Sequence, residues 1–67
     1  MTTDQIDLDS FSDQVKLRVI EREIAMRRNV YPKWVNKGKM KPDAAQHEID
    51  VMVAIAADYK RRIFGAH

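Results

Sequence analysis

Cysteine is absent from this chain of 67 residues. No disulfide can brace the fold, no thiolate can act as nucleophile or metal ligand, and the absence suits a reducing compartment. Histidine is nearly absent too: His47 and His67 are the only soft ligands and lie far apart, which excludes a structural zinc site. Long apolar runs are missing. The longest, Val51 to Ala57, falls far short of the roughly 20 residues that span a bilayer, so no membrane association is expected. The start, MTTDQIDLDS, has neither a basic n-region nor an apolar core, so no secretory signal is expected and the chain is read as soluble and cytoplasmic. Catalytic patterns are missing as well. There is no Gly-rich phosphate loop and no HExxH, and Ser10 and Ser12 have no histidine near them in sequence. The expectation is a protein that is not an enzyme and needs neither metal nor cofactor.

Glycine and proline number two each, and their positions punctuate the chain. Residues 1–9 are polar and acidic and read as a flexible tail. The first helix should start at Ser10, where Ser10-Phe11-Ser12-Asp13 approximates a capping box, and nothing breaks it before Tyr31. Pro32 then either kinks that helix or opens a short one from Pro32 to Lys37, and Gly38 stops it in a left-handed conformation. Pro42 and Asp43 suit the first turn of a second helix that runs to Phe64, ahead of a flexible 65–67. No stretch alternates with period two, so the fold class is all-α: an antiparallel two-helix hairpin over 10–64.

Projected at 100° per residue, the first helix carries two apolar stripes. Val15, Val19, Met26 and Val30 form one; Leu17, Ile20, Ile24 and Tyr31 form the other, with Lys16, Glu23 and Arg27 between them. The second helix has a single broad face of Ala45, Ile49, Met52, Val53, Ile55, Ala56, Tyr59 and Ile63. One stripe suffices to pack on that face. A lone hairpin of this size has a thin stability margin, and with disulfides and metal excluded, oligomerisation is what remains. The pattern therefore predicts a homodimer that forms a four-helix bundle.

The net charge is +2, too small to name a partner, so only its distribution is informative. Arg27, Arg28, Lys33, Lys37, Lys39 and Lys41 interleave with Tyr31 and Trp34 without an acid among them. These eight residues are the candidate partner-binding set, expected to gather at the turn end of the hairpin. Lysines and arginines there can grip phosphates while an aromatic ring stacks on a base. The structural reading is that the cations answer the helix dipole and that Trp34 closes the end of the core. Glu23 and Arg27 read as a solvated i,i+4 pair, and His47 as a surface histidine. At the other end Asp4, Asp7, Asp9 and Asp13 face Lys60, Arg61 and Arg62, which favours antiparallel closure.

The stretch from Glu23 to Tyr59, with its Arg27-Arg28 pair, Val30-Tyr31-Pro32, Trp34-Val35, Gly38-Lys39-Met40, Ala44-Ala45, Glu48-Ile49, Met52 and Ala57-Asp58-Tyr59, resembles a group of short uncharacterised proteins of bacteriophages and prophages of proteobacteria. Lys41 departs from the Ser or Thr expected before the second helix, which removes a strong cap there. The resemblance brings no assigned activity. It implies a small protein that occupies the surface of a host or phage protein, with a nucleic-acid accessory role as the alternative.

Overall fold

Ser12, rather than Ser10, opens the first helix. Its backbone is extended and its hydroxyl accepts the Val15 N–H at 3.2 Å, a cap that satisfies one of the unpaired amides of the first turn. The start expected at Ser10 is therefore two residues early. Asp13 is the first helical residue, where its carboxylate faces the positive end of the dipole and also reaches Arg62 at 3.2 Å.

A computed structural model describes residues 10–65. It contains two helices, α1 (Asp13–Asn36) and α2 (Pro42–Phe64), which pack on each other, and no strand is present among the described residues. The expected acidic tail at 1–9, with Asp4, Asp7 and Asp9, and the last two residues, with His67, lie outside the described residues. Asp13 meets Arg62 at one end, while Pro32 and Val35 share a hollow with Pro42 and Ala45 at the other, so the pair is antiparallel.

Pro32 does not open a helix of its own: α1 continues through it to Asn36. Proline removes one backbone bond, to the carbonyl four residues earlier, but near the end of a helix only one further turn has to hold. That turn closes tightly. The amide of Lys37 donates to the carbonyl of Lys33 at 3.1 Å, that of Gly38 to Val35 at 3.0 Å and that of Lys39 to Trp34 at 2.8 Å. The last two bonds are the pair that defines a Schellman ending, with Gly38 at φ +73°. Pro42 then begins α2 without a side-chain cap from Lys41, and Gly65 ends it at φ +65°.

The contact between the helices is narrow. Leu17, Ile24 and Tyr31, seven residues apart, are the buried residues of α1; Ala45 and Ala56 are those of α2. Ile20, Met52, Tyr59 and Ile63 pack against them, half-buried. On α2 the inward residues 45, 49, 52, 56, 59 and 63 follow a four-three spacing, the seam of a coiled coil. Val53, 40% exposed, and Ile55, which lines the outward groove, fall outside it, so the broad face read from the sequence is two residues too wide. At the open end Lys60 reaches Glu21 at 3.4 Å and Arg62 stacks over the Tyr59 ring at 5.1 Å, whereas Arg61 pairs with Asp58 of its own helix. Exposed pairs of this kind contribute under about 1 kcal/mol each.

Two substitutions measure these features. An alanine Cβ at position 38 would meet nothing within 4 Å, so Gly38→Ala costs only the left-handed backbone, about 1 kcal/mol, read as a fall in Tm of about 5 °C. Ile24→Ala removes the central contact and should cost about 2–4 kcal/mol in urea unfolding.

Candidate interaction surface

Of the two stripes on α1, the one with Leu17, Ile20, Ile24 and Tyr31 turns toward α2. The other faces outward. Val15 is 36%, Val19 41% and Met26 50% exposed, with Val30 half-buried beside them. Phe11, just before the cap and 50% exposed, continues the stripe past the helix start. Phe11, Val15, Val19 and Ile20 line an open apolar groove closed on its far side by Ile55 and Tyr59 of α2. Further along, Met26, Val30, Tyr31 and Trp34 line a second hollow.

A polar rail runs along the edge of this surface. The Arg27 guanidinium donates to the Glu23 carboxylate and, through Nε, to the Tyr31 hydroxyl at 3.1 Å. Each step is four residues, so the three side chains lie one turn above another. The hydrogen bond to Glu23, then that to Tyr31, push the Arg27 pKa above its ordinary value. The Glu23 and Arg27 pair was expected; the extension to Tyr31 was not, although the spacing of 23, 27 and 31 carries it. Tyr31 in turn lies 5.7 Å from the Trp34 ring, tilted by 32°.

The eight residues singled out from the sequence do not act as one cluster. Arg27 is held by Glu23 and Tyr31, and Tyr31 belongs to the buried set. Arg28 lies on the opposite flank of the hairpin, in a groove with Glu21, Ala25, Val53 and Lys60, well away from the turn. The expected gathering of all six cations is thereby corrected: adjacent residues on a helix point 100° apart, which sends Arg27 and Arg28 to different sides. Lys33, Lys37, Lys39 and Lys41 do remain together, all exposed around the last turn of α1 and the loop. None of them joins an ion pair among the described residues.

Trp34 does not close the core. It is 45% exposed, resting on Tyr31 with its outer part open. At the turn end of the hairpin Tyr31, Val35, Pro42, Ala45 and Ile49 line an open hollow that Trp34 does not cover. His47 is exposed on α2, as expected. Among the described residues no three acidic or histidine side chains converge on a point where a metal would sit, and no helix is long and apolar enough to cross a membrane.

No family model, no curated protein and no solved structure matches the chain.

The exposure of Trp34 sets the expected cost of its removal. A tryptophan sealing a core costs about 3 kcal/mol or more on truncation to alanine, whereas one lying half-exposed against a single ring should cost about 1 kcal/mol. Thermal unfolding of Trp34→Ala should accordingly show a folded protein with Tm lowered by no more than about 8 °C.

Proposed function

We propose that this chain is a phage-type, non-enzymatic binding module that works in the host cytoplasm as a homodimer and acts by occupying the surface of a host or phage protein. The observation that carries this reading is the exposure of Trp34 beside Lys33, Lys37, Lys39 and Lys41, on a helix end that the Schellman bonds and the Tyr31 contact hold in one arrangement. An aromatic anchor that is fixed before binding, with exposed cations close to it along the chain, loses little freedom on docking, which is the property of an effective hot spot. Tyr31 and Arg27 support the site from beneath by positioning the indole, and the lysines favour an acidic partner surface.

The same four lysines, which join no ion pair among the described residues, favour a second reading, a nucleic-acid accessory protein that stacks a base on Trp34. Salt separates the two. Four phosphate contacts, rather than six, would give log affinity for a duplex oligonucleotide a slope against log salt of about −3.6, while a protein interface with an aromatic centre responds weakly.

The test uses the intact chain as bait in nuclease-treated bacterial extract. One protein retained in equal amount by the parent, and lost with Lys37→Ala/Lys39→Ala while the circular dichroism of the variant is unchanged, supports the module. Equal retention by the double variant would remove the turn from the site.

A further inference from the structure

Positive charge continues along α1 well away from the turn. At 100° and 1.5 Å per residue, Arg18, Arg22, Arg28 and Lys33 fall within about 140° of the helix circumference and extend over about 22 Å of its length. They occupy the flank between the buried residues of α1 and its outward apolar stripe. All four are exposed, and none joins an ion pair or a hydrogen bond among the described residues. Ala25, Asn29 and Asn36 share the band with them and bring no charge. Glu21 is the acid of α1 that falls inside it, and Lys60 takes up that carboxylate at 3.4 Å, so the pair cancels and the four other charges stand unopposed. Asp43, Asp50 and Asp58 lie on the side of α2 turned away from α1, which gives the hairpin one basic edge.

We infer that this band is a binding site for the phosphodiester backbone of a nucleic acid, seated lengthwise along α1. Three of its four cations are arginines, whose planar fork engages two phosphate oxygens at once. Asn29, near the middle, adds an amide donor of the kind that contacts phosphate beside arginine and lysine, and the methyl group of Ala25 leaves a strand room to lie close. Successive cations stand about 6 to 9 Å apart along the axis, against a phosphate every 3.4 Å or so of a duplex strand, so each long side chain has a phosphate within reach.

The composition of the band selects this occupant. A protein interface draws its affinity from a desolvated apolar or aromatic centre, and a lipid surface takes up large apolar side chains from between the cations. The centre of the band has Ala25 and Asn29 instead. Phosphates need only cations within reach. The site is also separate from the indole, because Arg22 and Arg18 lie about 18 and 24 Å from Trp34 along the helix. Lys33 joins the two surfaces, so a strand leaving the band passes toward the turn while the tip remains open to a protein partner.

The probe is a fluorescent DNA of about 20 nucleotides, single-stranded in one arm and duplex in the other, titrated with the intact chain between about 50 and 200 mM salt and read by anisotropy. Four phosphate contacts give log affinity a slope against log salt of about −3.6 for the duplex and about −2.8 for the single strand, and the tighter-bound arm identifies the form preferred. Arg18→Gln/Arg22→Gln/Arg28→Gln keeps good helix formers at three exposed positions, so its circular dichroism should match the parent's. It should bind either DNA at least about thirtyfold more weakly at the low-salt end, with a slope shallower by about 2 to 3. Its capture of a protein from nuclease-treated extract should be unchanged, since the turn is intact, so the band and the turn can fail separately. Oligonucleotide binding that survives in the triple variant but is lost in Lys37→Ala/Lys39→Ala would move the nucleic acid to the turn and overturn the inference. Failure to bind either DNA at the low-salt end would overturn it too, as would retention on phosphatidylserine vesicles in preference to DNA.

Discussion

The fold depends on the fit of large side chains on α1 against alanines on α2. Ile24 packs over Ala56, and Tyr31 lies at the end occupied by Ala45. A methyl group at each of those two positions lets the helix axes approach, and close approach is what allows so few side chains to exclude water. The cost of this economy is a seam only one stripe wide. No side chain among the described residues is fully buried, and the five that count as buried include two alanines and a tyrosine whose hydroxyl is engaged by Arg27.

A narrow seam leaves most of each helix outside it, and the two sides that remain differ in character. One flank carries Arg28, Lys60 and Glu21 around a shallow groove and is well suited to water. The other carries aliphatic residues from end to end, with Glu23 and Arg27 neutralising each other at its margin. A monomeric protein seldom leaves such a continuous apolar strip exposed, so the asymmetry of the flanks matters more than total exposure. The Glu23, Arg27 and Tyr31 rail gives the apolar flank a defined border and couples the middle of α1 to the indole at its end.

Hydrophobic periodicity, the proline positions and Gly38 made the helices, their antiparallel order, the two stripes and the left-handed stop at Gly38 legible from residues alone. It assigned the stripe of Leu17, Ile20, Ile24 and Tyr31 to the interior as one of two options, and packing on α2 selects it. Three features were not legible. Ser10 and Ser12 are equally good caps locally, and it is Ser12 whose hydroxyl accepts the Val15 amide, with Asp13 beside it paired to Arg62. Pro32 is compatible with a helix end or a helix interior, and the burial of Tyr31 and the bonds of the last turn keep the helix whole. Trp34 lies at the edge between seam and surface, where a rotation of a few tens of degrees separates a core residue from an exposed one. Composition cannot resolve that angle.

The latch between Asp13 and Arg62 brings the beginning of α1 and the end of α2 to one place. The chain therefore enters and leaves the hairpin side by side, while the Gly38 turn stands a full helix length away, about 36 Å for the 24 residues of α1. The hairpin is in this sense a spur: it can be inserted into an exposed loop of a carrier protein through two short connections, or held at both ends on a surface, with the lysine-rich tip projecting clear of whatever anchors it.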